Sequence, residues 1–176
     1  IINTSGCGTQ VKDYGFMFRE NAAYVDKAAR VSALAKDVSE YLAALEPELQ
    51  PVADIPGLRV TYHSACSMQH GQKITREPKD LLKAAGFVVK DVPEGHLCCG
   101  SAGTYNILQP ELARKLRDRK VANIEKTAPD LVATGNIGCM TQIGTGSDLP
   151  IVHTAELLDW VYGGPVPEGL EQVYRL

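Results

Sequence analysis

The sequence predicts an α/β fold: a mostly parallel, Rossmann-like sheet with helices on both faces and cysteines at the edge where the strands end. Three observations carry this. Short runs rich in Val, Ile and Leu alternate with stretches of helical periodicity. Each of the five cysteines falls just past such a run. The 176 residues are 44% hydrophobic, enough to bury one core.

The elements follow in order. The opening "IINTS" reads as a strand. Residues 22–46, "AAYVDKAARVSALAKDVSEYLAALE", carry Tyr24, Ala28, Val31, Ala35, Val38, Leu42 and Leu45 at steps of four and three. That spacing predicts one amphipathic helix, capped by Asn21 and stopped by Pro47. Pro47, Pro51 and Pro56 mark an extended link into the strand "LRVTYH". "PKDLLKAAG" reads as a short helix closed by Gly86, and "FVVKDV" as the next strand. Pro110 starts a helix running to about Thr127, since proline suits the first helical turn. "DLVATGN" and "PIVHT" are further strands, and "AELLDWVYGG" is a last helix ended by glycines.

Composition narrows the function. A net charge of −3 argues against a general nucleic-acid binder. No stretch approaches the ~20 continuous apolar residues of a membrane span, and none reads as a signal peptide. Five cysteines are too few for a disulfide scaffold and odd in number, which predicts a reducing, cytoplasmic setting. No G-x-G-x-x-G opens a helix, and "GSAG" lacks the ending of a phosphate loop. The chain opens without Met into an apolar run and reads as a piece of a longer polypeptide.

Cys98 and Cys99 are adjacent in "GHLCCGSAGTYN". Neighbouring Cα atoms lie about 3.8 Å apart, whereas unstrained disulfides prefer roughly 5.5–6 Å. Two vicinal thiols on a small-residue loop suit metal binding from one side. Cys66, Cys98, Cys99 and Cys139 all follow strands, and in a parallel sheet those ends share the edge where ligands bind. Buried inert thiols are the alternative. "INTSGCGTQ" echoes "ATGNIGCMTQ", so residues 1–9 read as the tail of a preceding similar unit. Cys7 is then set apart from the other four. Residues 10–56 read as a helical connector and 57–176 as the cysteine-bearing domain.

Other side chains are weighed on the same footing. His63 ends a strand at the ligand edge, and His70 flanks Cys66 with it. His96 and His153 read as surface or capping residues. "ARKLRDRK" places Arg114, Lys115, Arg117, Arg119 and Lys120 on one helix, as a solvated face or as a docking patch for an acidic partner. Tyr105 and Asn106 either pack and cap the double-cysteine loop or bond to a ligand there.

Cys66, 31 intervening residues, Cys98-Cys99, then 39 intervening residues beginning with Gly100, and Cys139 resembles the cysteine-rich CCG domain. That domain occurs in heterodisulfide reductases and in iron–sulfur subunits of hydroxy-acid oxidases. "YHSACSMQHGQ", "HLCCGSAGTYNILQPELARKLRDRK" and "GNIGCMTQI" are most similar to the C-terminal part of glycolate oxidase iron–sulfur subunits. The resemblance implies an electron-transfer module with an iron–sulfur cluster of [4Fe–4S] type on Cys66, Cys98, Cys99 and Cys139. His63, Gly100 and Asn106 are then candidates for a supporting shell. It also implies flavin-containing partner subunits, electron flow towards a respiratory acceptor, and a place at the inner face of the membrane reached through partners. The family's ferredoxin-like cysteine pattern is not in this chain. The family pattern ends C-x-x-C, but position 142 is Gln142. Four thiols fit a cubane cluster or a structural zinc. Thiol–disulfide chemistry at Cys98-Cys99 is the enzymatic alternative.

Overall fold

A computed structural model describes residues 1–45, 51–52 and 57–170. Four strands form the sheet: β1 (Arg59–Tyr62), β2 (Val88–Asp91), β3 (Leu131–Thr134) and β4 (Ile151–His153). Their order is β2-β1-β3-β4 and every pairing is parallel. Val60 stands opposite Val89 on one side and Leu131 on the other. These are the four internal strands read from the sequence, each trimmed to three or four residues.

Alternation along the strands divides the core in two. Val60 and Tyr62 of β1, with Leu131 and Ala133 of β3, face one layer. There they meet Leu82 of α5 (Glu77–Ala84) and Leu157 and Trp160 of α9 (Thr154–Val161). On the opposite face Val132 packs with Val121 and Ile124 of α7 (Pro110–Glu125) and Ile143 of α8 (Ile137–Gly144). Cys99 and Cys139 belong to this second layer. Helices on both faces of an all-parallel sheet give the α/β class expected.

The N-terminal third differs from its sequence reading. Ile2 makes only an isolated bridge to Asp37, and α1 (Ser5–Lys12) begins three residues later. A strand needs a partner along its length, and here only Ile2 finds one. The helix expected over 22–46 is two helices, α3 (Val25–Leu34) and α4 (Val38–Leu45), after the short α2 (Tyr14–Met17). The break has a local cause. The Asp37 carboxylate accepts from the Ser39 N–H at 2.9 Å, and the Glu40 carboxylate accepts from the Asp37 N–H at 3.2 Å. This reciprocal capping starts a new helix inside an unbroken apolar period. Tyr24, Val31 and Leu45 of the expected apolar face are exposed. The expected stop at Pro47 and most of the proline-rich link lie outside the described residues. Among the described residues no helix is long and apolar enough to cross a membrane.

The strand order positions the site. β1 connects outward to β2 on one side, whereas β3 connects to β4 on the other. The loops leaving β1 and β3 therefore diverge above adjacent strands, and such a switch point leaves a crevice at the carboxyl edge. Leu131 is fully buried in the middle of this arrangement. Leu131→Ala is expected to cost about 2–5 kcal/mol, read as a lowered urea midpoint with an unchanged slope.

Candidate metal centre

Each cysteine reaches the crevice by a different route. β1 ends at Tyr62, and the His63 N–H still pairs with the Ala133 carbonyl at 2.8 Å. Cys66 follows, directly before the π-helical segment Ser67–Gln72. Cys139 is the third residue of α8, whose cap is Asn136. The Asn136 Oδ1 accepts from the N–H groups of Gly138 at 2.8 Å and Cys139 at 3.3 Å. Cys98 and Cys99 arrive on the long connection after β2. Gly100 then turns the chain at φ +93°, where a Cβ would collide with the Ala113 carbonyl oxygen of α7. Only glycine fits that turn.

The four sulfurs lie on one cavity of about 340 Å³ between these loops. Cys99 and Cys139 are buried, while Cys66 and Cys98 are half-buried. They form two pairs. The Cys99 thiol donates to the Cys139 sulfur at 3.3 Å, and Cys66 and Cys98 act on each other's ionisation. Cysteine neighbours push Cys98 and Cys139 below the ordinary thiol value, Cys66 foremost for Cys98 and Cys99 for Cys139. Cys66 and Cys99 are pushed up by the same neighbours and by burial. The Gly100 N–H, 3.3 Å from the Cys98 sulfur, adds a further donor.

His63 stands beside the two buried sulfurs. It is 1% exposed, and neither ring nitrogen has a hydrogen-bond partner among the described residues. A ligand atom of His63 and the sulfurs of Cys99 and Cys139 all lie within 4.8 Å of one another. Unpartnered buried nitrogens are costly, and a metal or a ligand sulfur is the kind of group that satisfies them. Soft sulfur donors with an imidazole beside them fit zinc or an iron–sulfur cluster.

The remaining candidates are placed elsewhere. Asn106 does not reach the sulfurs: its Nδ2 donates to Gln142 Oε1 at 3.2 Å. Gln142 is buried, and its Nε2 donates to the Ala113 carbonyl at 3.4 Å. It thus braces the turn that Gly100 makes against α7. His70 bonds to the His96 carbonyl at 3.3 Å, and both histidines are exposed. His153 caps α9, its Nδ1 accepting from the Ala155 N–H at 3.1 Å.

Two residues depart from their sequence reading. Lys120 is not on the solvated face of "ARKLRDRK": it is 1% exposed, with Nζ donating to the Glu94 carbonyl at 3.2 Å. Desolvation lowers its pKa, and the nearby cysteine sulfurs oppose that effect. Helical spacing held the signal, because Lys120 lies seven residues after buried Ala113 and four before buried Ile124. Cys7 follows no strand and is not remote. It lies in α1, on the wall of the same cavity.

The family model described as CCG, "Cysteine-rich domain", matches residues 60–144, a span running from β1 through α8. Those residues are thus similar to cysteine-rich domains of the CCG type. The chain is 42% identical over 160 residues to the glycolate oxidase iron-sulfur subunit of Escherichia coli (strain K12), covering 90% of this chain and 39% of the relative. It is 31% identical over 166 residues to the probable glycolate oxidase iron-sulfur subunit of Bacillus subtilis (strain 168), covering 37% of it. Lactate utilization protein A of Bacillus licheniformis is 27% identical, with 69% of its length covered. The chain thus spans less than two fifths of the two glycolate oxidase relatives.

Two outcomes test how the loops are held. Gly100→Ala should lose roughly 1–3 kcal/mol through backbone strain, seen as a lower thermal midpoint. Glu94 ties the double-cysteine loop to α7, accepting from Arg119 Nε at 2.9 Å and Asn123 Nδ2 at 2.8 Å. The Arg119 hydrogen bond is the main cause that holds its carboxyl down to about 2. A carboxyl depressed in the folded state stabilises above its unfolded value, and that contribution disappears as pH falls towards the folded one. Wild-type urea midpoints should therefore drop more steeply than those of Glu94→Gln between about pH 5 and pH 2.

Proposed function

We propose that this domain holds an iron–sulfur cluster within the iron–sulfur subunit of a 2-hydroxy-acid oxidase. The observation that carries the reading is the convergence of Cys66, Cys98, Cys99 and Cys139 on one cavity from three separate loops. Its volume, about 340 Å³, is large beside the ≈30 Å³ of a single water. That room suits a polynuclear guest better than a lone zinc ion. The names of the relatives point the same way.

When bound, such a cluster accepts and passes on single electrons. The chain's own residues do the rest. The four cysteines supply the thiolates, and β1, β3 and α8 fix where they stand. His63 and the Gly100 N–H offer hydrogen bonds to sulfur, which tune its electron density. Buried Lys120 contributes a positive charge from the α7 side. The second core layer keeps water from the inner sulfurs. Electrons come in this reading from a flavin-containing partner that oxidises glycolate or a related hydroxy acid, and they pass towards a respiratory acceptor. Ile107, Leu108 and Ile137 expose large apolar side chains on elements that border the cavity, a surface suited to that contact.

The test is metal and sulfide analysis of the intact, anaerobically purified polypeptide beside its Cys99→Ser variant. The variant is expected to lack about four iron and four sulfide per chain relative to wild type, the content of one [4Fe–4S] cluster. Equal iron in the two, or stoichiometric zinc without sulfide at this site, overturns the reading.

A further inference from the structure

We infer that His63, Cys99 and Cys139 form a binding site for a single divalent transition-metal ion, zinc by preference, in the domain without a cluster. The inference goes beyond the four-cysteine centre: it shares two of those sulfurs and replaces the other two with an imidazole.

Proximity is the first argument. The donor atoms of His63, Cys99 and Cys139 all lie within 4.8 Å of one another, and the two sulfurs are 3.3 Å apart. Among the described residues no other three His, Cys, Asp or Glu donors gather this closely. Cys66 and Cys98 line the cavity but stand outside this tightest set. A zinc ion bonds sulfur at about 2.3 Å and imidazole nitrogen at about 2.0–2.1 Å. Its ligand atoms then stand roughly 3.5–4 Å apart in a tetrahedron, so small side-chain shifts bring the three onto one ion.

The orphaned ring is the second. His63 is buried, and neither ring nitrogen has a partner among the described residues. It does not line the cavity of the four cysteines, so its neighbours are the two buried sulfurs rather than the open crevice. A buried nitrogen left unpaired is destabilising, and coordination to a metal satisfies one of the two. Thr134 is the neighbour for the other. One residue past the Tyr62–Ala133 pair, His63 and Thr134 occupy adjacent positions on β1 and β3. The Thr134 hydroxyl is also buried and without a partner among the described residues. A metal-bound histidine commonly donates its second N–H to an oxygen.

The donor set is the third. Two thiolates and an imidazole suit zinc and similar ions, not the hard cations that take oxygen ligands. Both sulfurs bind as thiolates, their protons passing to solvent. Three protein donors leave a fourth position for water. A different element fixes each donor. The His63 N–H is held by the Ala133 carbonyl at 2.8 Å, Cys139 by the Asn136 cap of α8, and Cys99 by the Gly100 turn against α7.

The experiment is cobalt(II) titration of the intact polypeptide after anaerobic treatment with chelator, followed by visible absorption and by zinc competition. Wild type is expected to bind cobalt with the intense absorption of a tetrahedral ion and a thiolate charge-transfer band, and to release it to zinc. His63→Ala should bind roughly 10- to 100-fold more weakly, at least the loss seen for a group supporting a ligand, and Cys99→Ser should do the same. Cys66→Ser, which removes an outer sulfur, should stay close to wild type. Circular dichroism reports whether each variant is folded. Zinc-edge X-ray absorption on the His70→Gln, His96→Gln double variant, with His63 intact, is a second readout. It should show imidazole together with sulfur; His153 stays in place, since Asn3 and Ala155 engage both its nitrogens. A sulfur-only spectrum, or unchanged cobalt affinity in folded His63→Ala, overturns the inference. Equal losses in Cys66→Ser and Cys99→Ser also overturn it, in favour of four sulfurs. If His63→Ala does not fold, the X-ray absorption result decides. Iron and sulfide content of the loaded protein reports the cluster, so that reading and this one fail separately.

Discussion

Thiolates crowded into one cavity repel one another, and the carboxyl edge of this sheet is organised around that repulsion. The sulfurs shift one another in opposite directions: Cys98 and Cys139 are pushed below the ordinary thiol value and Cys66 and Cys99 above it, with the Cys99 thiol donating to the Cys139 sulfur. The Gly100 N–H, the first turn of α8 and buried Lys120 are the remaining positive influences on the cavity. A cationic guest relieves that repulsion, which is why such a site prefers metal to solvent.

Topology makes the crowding possible. β1 and β3 are neighbours whose onward connections leave in opposite directions, so Cys66 and Cys139 face each other without any loop crossing the gap. The long connection after β2 brings the vicinal pair in from the side. It has to turn sharply against α7 to do so, and Gly100, Gln142 and Asn106 meet at or beside the Ala113 carbonyl to permit it. The core beneath is ordinary aliphatic packing, and the polar work is confined to one end of the sheet.

Much of this was legible in the sequence. The four internal strands, the α7 span from Pro110 and the parallel order follow from composition and spacing, because each strand is a short apolar run flanked by turn residues. The placement of cysteines after strands carried the site. Misreadings arose where a local pattern competed with a tertiary one. Apolar periodicity over 22–46 concealed the Asp37–Glu40 capping pair. A run of basic residues concealed Lys120, although its register with Ala113 and Ile124 marked the buried face. Cys7 is set apart in the sequence because the repeat of "GCGTQ" and "GCMTQ" makes residues 1–9 read as the tail of a preceding unit. The contacts of its helix with Gly135, Ser67 and Asn136 span more than 60 residues of chain, for Asn136 more than 130, and no local pattern reports them.

The vicinal cysteines have a mechanical meaning as well as a chemical one. Cys98 pairs with the loop leaving β1 and Cys99 with the loop leaving β3, so one dipeptide spans the divide between the two halves of the sheet. A guest held by both sulfurs acts as a rivet through three loops, and its affinity adds to the cohesion of the whole domain by mass action. On the proposed reading, oxidative loss of that guest would loosen architecture along with chemistry.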